Sequence, residues 1–599
     1  MPKSWCCRIR TGSASSIWAT SPGSNSRGFP WRISRPGVPR IIGATCGGAW
    51  PRRTRPSRPS TPPRACDGVR PVSSSPGAAP GLVCAGCGQR VEAASPSPFR
   101  CPAAGSDDDL EHILVPEDAE EGPQGFVFEG DENPFLRYGE LLLSKTAWGQ
   151  QGEIERSWRE CVGQIDASLE AVGGRGFRRT PYGPAPGLGA ALGLGGALWI
   201  KDETGNVAGS HKGRHLMGVA LHQEMAARSG LGECAGRPLA VASCGNAALA
   251  AAVIARAWAD ATAGELAAGG ETAAAGCGEL LAFVPAGADR RILARLGALG
   301  GRAVICERQG TEKGDPCLPA FRQAVESGAL PFTCQGTENA LVLDGGRTLA
   351  FEIAEQHSAA SARPIGRVFV QVGGGALASS LASGLEQARK LGAAACAGPG
   401  SDARGAAQGP ALHPVQTAGC SPFARAWQRF VAGVQRRAFD AGEALPLPDA
   451  PASELAAWLV DKSAHTAAEL AYAARHRSQF MWPWELTPKS AASGILDDET
   501  WDWLAILRAT VHSGGWPLVV DEETVRQAAM LAQEHTGIAV DATGAAGLAG
   551  FMEWSRKQVG LAAGGASREQ VVVIFTGGLG RGASPGSSPP DSPQVGGEA

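Results

Sequence analysis

Four short stretches of the 599-residue chain combine side chains and turns that could do chemistry. In "VAGSHKGRHLMG" (207–218), Lys212 sits between a small-residue turn and an apolar helical run. The chain is rich in Gly and Ala and sparing with lysine, so an amine at a helix entrance suggests a nucleophile rather than a solvated face. "ASCGNAAL" (242–249) places Ser243, Cys244, Gly245 and Asn246 on a tight turn that opens a helix. "VGGGALASS" (372–380) follows a strand and leads into a helix, so its backbone N–H groups, unhindered by side chains, aim at an anion. "FTGGLGR" (575–581) ends the last strand with Thr576. A three-glycine turn alone is more often just a tight turn, and the information lies in the ordered set.

A separate cluster has metal-ligand spacing. "LVCAGCGQRVEAASPSPFRCP" (82–102) holds Cys84 and Cys87 two residues apart, then Cys101, which is half of a zinc ribbon with one thiolate missing. Ala104 stands where a second CxxC would end. His112 in "DDDLEHIL" offers a Cys3His set at an unusual spacing; the alternative is a degenerate ribbon that folds without metal.

Elements must hold the four loops in place. Candidate strands are "ALWIKD" (197–202), "LAVAS" (239–243), "LLAFVP" (280–285), "RAVICE" (302–307), "RVFVQV" (367–372), "HPVQT" (413–417) and "VVVIFT" (571–576). Helical patterns such as 247–261 and 288–300 lie between them. That alternation predicts βαβ crossovers and parallel sheets covered on both faces. The loops then fall at C-terminal strand ends, where a doubly wound sheet forms its ligand crevice. Ala/Gly-rich tracts at 262–278 and 392–409 read as surface insertions.

Bulk composition sets limits. With 43% hydrophobic and 19% charged residues, the chain can bury more than one domain's core. It lacks any run of eighteen apolar residues, so no transmembrane helix and no membrane partner is expected. Residues 1–80 carry 13 Lys and Arg against Asp67 alone, a balance of +12 that leaves −15 for the rest. Tracts such as "PRRTRPSRPSTPPR" (51–64) have no period of 2 or 3.6, so residues 1–80 read as a disordered basic arm. Alternatives are an organelle-targeting segment or a nucleic-acid arm; the acidic remainder makes nucleic acid the weakest partner class. Sixteen scattered cysteines, several in apolar segments, indicate reduced thiols inside a cell. The expected location is cytoplasmic, or organellar if residues 1–80 are a transit peptide. The division is 1–80 arm, 81–124 ribbon-like module, 125–590 main α/β body in two subdomains, and 591–599 disordered tail.

In order, "TP" (180–181), "WIKDET" (199–204), "GSHKGR" (209–214), "SCGNAA" (243–248), "GGRTLAFEI" (345–353), "VGGGAL" (372–377) and "FTGGLG" (575–580) resemble the fold type II pyridoxal-phosphate enzymes, the tryptophan synthase β-like superfamily. The resemblance covers about residues 130–582. It implies two doubly wound, mostly parallel sheets with pyridoxal 5'-phosphate in the cleft between them. Lys212 would hold the cofactor aldehyde as a Schiff base, and Asn246 would bond the ring hydroxyl. Gly373, Gly374, Gly375, Ala376 and Leu377 would cradle the phosphate, while Thr576 would face the pyridine nitrogen. Ser243, Cys244 and Gly245 would hold the substrate carboxylate. A neutral hydroxyl at the ring nitrogen leaves a milder electron sink, which suits elimination and replacement over transamination.

Within that group, "HPVQTAGCSPFARAW" (413–427) and "HTGIAVDATGAAGLAG" (535–550) look most like threonine synthase. The expected activity is therefore elimination or replacement at the β or γ carbon of a small amino-acid substrate, threonine synthase-like. A serine/threonine ammonia-lyase is the alternative within the class, and a catalytically lapsed cofactor-binding protein the alternative outside it. A homodimer is the expected assembly. Three stretches depart from the threonine synthase pattern. "SHKGR" replaces Ser-Phe-Lys-Asp-Arg and is similar to tryptophan synthase β, Cys244 replaces a hydroxyl residue, and "FMWPWE" (480–485) has no counterpart.

Overall fold

A computed structural model describes residues 81–105, 108–117, 125–149, 152–193, 198–232, 234, 236–267, 277–307, 314–397, 409–559 and 569–578. The expected arm (1–80) and tail (591–599) lie outside the described residues. The first elements are three short strands, β1 (Gly81–Cys84), β2 (Arg90–Glu92) and β3 (Leu114–Pro116). They form an antiparallel sheet in the order β2-β1-β3, with Cys84 opposite Leu114. The ribbon is tied to the main body. Glu111 is buried, accepts from Trp503 Nε1 and pairs with Arg477 at 3.2 Å.

The main body holds ten strands: β4 (Tyr182–Pro184), β5 (Leu198–Asp202), β6 (Leu239–Ala242), β7 (Leu280–Pro285), β8 (Arg302–Cys306), β9 (Leu330–Pro331), β10 (Ile365–Gln371), β11 (Ala411–Thr417), β12 (Leu518–Val520) and β13 (Gln570–Phe575). The larger sheet runs β12-β11-β10-β13-β5-β4, parallel except for β4, which lies antiparallel on β5 at the edge. The smaller, β8-β7-β6-β9, is wholly parallel. It is built between β5 and β10, so the chain leaves the larger sheet and returns to it. Every residue of "QVVVIF" in β13 is buried, as expected of a strand covered on both faces. The helix Asn246–Ala267 runs into the first Ala/Gly-rich tract, which is helical up to that residue. Among the described residues no helix is long and apolar enough to cross a membrane.

A buried ion network locks these elements together. Lys201 Nζ, on β5, donates to Glu352 Oε2 (2.6 Å), the Thr180 carbonyl (2.8 Å) and Gln356 (2.7 Å). Arg214, on the helix Lys212–Arg228, donates to Glu203 (2.8 and 2.9 Å), Glu352 (2.7 Å) and Thr348 (3.1 Å). Thr180 Oγ1 donates to Glu203 at 2.5 Å, and Glu203 also accepts from Asn206 at 2.7 Å. The helix Val342–Ala360 can come this close because glycines meet at the crossing. A Cβ on Gly218 would stand 2.7 Å from the Gly345 nitrogen, and one on Gly345 would strike the Arg214 carbonyl. Side chains from "TP", "WIKDET", "GSHKGR" and "GGRTLAFEI" thus converge on one cluster, which the helix of Lys212 joins through Arg214.

Candidate active site

Lys212 begins the helix Lys212–Arg228, and its entrance is strained. Ala208 has φ of 56° and is the one non-glycine residue with positive φ among the described residues, followed by Gly209 at 72°. Such turns cluster at functional sites because neighbouring structure must hold them. Here the Arg214 network supplies that hold. Lys212 itself is part-buried, and its backbone N–H donates to Ser210 Oγ at 3.4 Å.

Thr576 follows β13, beside β5, so the last strand and the lysine turn share one sheet edge. The His211 backbone N–H donates to Thr576 Oγ1 (3.1 Å), and His211 Nδ1 lies 2.8 Å from the same oxygen. Burial, reinforced by the Lys212 charge, holds the His211 imidazole well below its usual range. His215, one turn along, is pushed down to about 3, also by burial first. Both rings are therefore neutral at neutral pH. His211 Nε2 is buried without a partner. Past Thr576, Gly577 turns at φ of 80°, and a Cβ there would stand 3.1 Å from Asn246 Nδ2 and 3.2 Å from Asp541. Asn246, the first residue of its helix, thus lies against the Thr576 turn.

Gly373, Gly374 and Gly375 link β10 to the helix Ala376–Lys390, with Gly375 at φ of 108° and no side chain capping the helix. Ala376 and Leu377, both buried, form its first turn. A segment not singled out in the sequence packs on this loop. A Cβ on Gly373 would run into Asp497 Oδ2, one on Gly374 would stand 2.8 Å from Trp501, and one on Gly375 2.7 Å from Ile506. The Asp502 N–H donates to the Gly374 carbonyl at 3.0 Å. Burial raises both Asp497 and Asp502, the latter to about 7, against the pull of Lys212. Both Asp502 oxygens, Trp501 Nε1 and Thr337 Oγ1 are buried without a full hydrogen bond, although the Gly336 N–H steadies the Asp502 carboxylate and Trp501 that of Asp497. The sequence did carry a signal for this segment: "LDDETWDW" (496–503) sets four acids among tryptophans, a poor composition for a solvated loop.

Ser243, Cys244 and Gly245 follow β6 and are part-buried. Gly245 donates its N–H to Ser243 Oγ (3.3 Å) and has open space where a Cβ would stand. Burial raises the Cys244 thiol, and the charges of Asp315 and Asp497 raise it further. Cys244 and the glycine loop thus share Asp497 as a neighbour.

The ribbon cysteines also come together, with His112 among them. One ligand atom from each of Cys84, Cys87, Cys101 and His112 lies within 4.8 Å of all the others. Cys84 Sγ is 3.6 Å from His112 Nδ1, and Cys87 Sγ is 3.5 Å from Cys101 Sγ. Nε2 of His112 lies 2.9 Å from Asp108, the kind of outer contact that orients a ligating imidazole.

The donor set around Lys212 suits pyridoxal phosphate: an amine, an uncapped helix N-terminus behind a glycine loop, and polar groups left without partners. Residues 174–259 and 257–577 match the family described as pyridoxal-phosphate dependent enzyme. No curated protein matches the chain. Among solved structures, the threonine deaminase of T.th. is similar at 20% identity and a TM-score of 0.41, over 71% of this chain and 99% of that one. Maize serine racemase follows at 17% and 0.40, over 70% and 93%. The L-serine ammonia-lyase of the fungus Rhizomucor miehei stands at 17% and 0.41, over 67% and 93%.

Proposed function

Since this chain belongs to the pyridoxal-phosphate dependent enzyme family, we propose that it eliminates or replaces a β or γ substituent of a small amino acid. When bound, the cofactor supplies an aldehyde that condenses with amines and a conjugated ring that takes up the electrons of a carbanion. Lys212 Nζ would hold the aldehyde carbon and would take and return the α proton of the substrate. Gly373 to Leu377 hold the phosphate through backbone N–H groups, and Asn246 bonds the ring hydroxyl. The Ser243–Gly245 turn would hold the substrate carboxylate, with the Ser243 hydroxyl as donor while the Gly245 N–H braces that hydroxyl's oxygen.

The observation that carries the reading is the Thr576–His211 pair. A neutral imidazole bonded to a neutral hydroxyl places no anion at the ring nitrogen, so the ring stays a moderate electron sink suited to elimination. Threonine synthase-like replacement and ammonia-lyase chemistry both fit that requirement. The lyase converts a hydroxy amino acid to a 2-oxo acid and ammonia, with water lost and regained. Incubation with L-serine, L-threonine and O-phosphohomoserine, assayed for 2-oxo acid, ammonia and inorganic phosphate, tests this. Release of 2-oxo acid with ammonia supports the lyase. Phosphate release with threonine formation supports the synthase, and no product from any substrate points to a lapsed enzyme.

Cys84, Cys87, Cys101 and His112 would hold one zinc. Four ligands close a tetrahedral shell with no open position, which makes the site structural. Metal analysis after anaerobic purification should find about one zinc per chain, as one closed site requires. A metal-free protein with the ribbon intact would make the module vestigial.

A further inference from the structure

A chamber of about 690 Å³ opens between the ribbon and the main body, away from Lys212. Its walls come from Ala85 and Val115 of the ribbon and from the helices Ala376–Lys390, Ala452–Asp461, Ser463–Arg475 and Trp503–His512. The lining is largely apolar, with Leu343, Leu385, Leu412, Leu459 and Val511 among its residues. The volume is that of a small-molecule site.

One arginine in this chamber has no carboxylate partner among the described residues, the Cys84 thiol being the one group whose charge would favour it. This is Arg508, which makes a single hydrogen bond, from Nη2 to the Ala85 carbonyl at 3.2 Å. Burial pulls it below the usual arginine range. Glu386 lines the wall, but its two oxygens are held by Arg389 at 2.7 and 2.8 Å. A guanidinium has five N–H donors in a planar fork that matches a carboxylate. Arg508 is part-buried and lines the chamber, so its remaining N–H groups are open to an anion that enters it. We propose that this chamber is a second ligand site, taking a small amphipathic carboxylate whose anion sits on Arg508 and whose apolar body fills the space lined by Leu385, Leu459 and Val511.

Calorimetric titration of the holoenzyme tests this with octanoate as the probe, and with octanol and inorganic phosphate as the two halves of its chemistry. The site predicts saturable binding of one octanoate per chain, with octanol and phosphate each at least about tenfold weaker, since a charge-assisted bond and the apolar burial each contribute that much. Arg508→Met removes the charge and keeps an apolar stem, and should weaken octanoate about tenfold or more. Arg508→Lys should recover part of the loss. Ser383→Trp, on the chamber wall, should block the site with Arg508 still in place, which keeps the test open if Arg508→Met fails to fold. Absence of saturable octanoate binding overturns the proposal, as does binding unchanged in both Arg508→Met and Ser383→Trp. Octanol binding as tightly as octanoate would also overturn it. Cofactor content, read on the same samples, is expected to stay constant.

Discussion

Two buried polar regions of the molecule are finished to different degrees. In the first, Lys201, Glu203, Arg214 and Glu352 satisfy one another, with Thr180, Asn206 and Thr348 taking up remaining bonds. In the second, where His211 and Asp502 feel the Lys212 charge, Asp502, Trp501, His211 and Thr337 each leave buried atoms without a full hydrogen bond. Unmet buried groups cost free energy, so a protein keeps few unless something else completes them. On the proposed reading the contrast separates scaffold from site: the first region holds the helix of Lys212 still, and the second would face cofactor and substrate.

Substitutions at four positions probe that division, in order of expected effect. Lys212→Ala should lower turnover by about 10³-fold or more, roughly 4 kcal/mol of barrier. Borohydride reduction of the wild type should fix the cofactor to the peptide containing Lys212, and label on another lysine would remove it from the site. Glu352→Gln acts on the scaffold, leaving Lys201 and Arg214 buried with one anion fewer. It should cost about 3 kcal/mol or more, read as a lowered unfolding midpoint together with loss of cofactor.

Asp502→Asn acts on the second region, and its signature is pH dependence. Burial holds the Asp502 carboxyl up to about 7, against 3.8 for the free group. A carboxyl raised on folding binds its proton more tightly in the folded state. It therefore withdraws stability as pH climbs from about 3.8 to 7, by an amount on the order of a few kcal/mol. In the cofactor-free protein, Asp502→Asn should unfold at a higher temperature than wild type at pH 8, and that advantage should shrink at pH 5. An advantage constant with pH would show that Asp502 finds its partner within the protein. Thr576→Ser should be smallest, keeping turnover within about twofold because donor and acceptor survive, whereas Thr576→Val should cost about tenfold by removing both. Equal behaviour of the two would mean that Thr576 only ends a strand.

The parallel strands were legible because fully buried runs such as "VVVIF" read alike in sequence and in space. The positions of the four loops followed from strand ends alone. What escaped was pairing over distance. Lys201 meets Glu352 and Arg214 meets Glu203 across stretches that periodicity cannot connect, so their motifs were recognised while their job was not. The glycine loop at 373–375 is closed by residues about 125 positions later, from a stretch next to the unplaced "FMWPWE". His112 is badly spaced for a ribbon by count, yet β3 pairs Leu114 with Cys84 and so returns the histidine to the cysteines. Spacing rules assume the usual hairpin, and here a third strand supplies the ligand.

The buried ion network also has a thermal consequence. Two cations and two anions are held there out of water, with both lysine and arginine reaching Glu352. The hydration that such charges give up becomes less favourable as temperature rises, while the stabilisation from apolar burial levels off. The cost of keeping the cluster dry therefore falls on warming. The mount of the Lys212 helix should be among the last parts of this molecule to loosen in heat, outlasting the aliphatic packing around it.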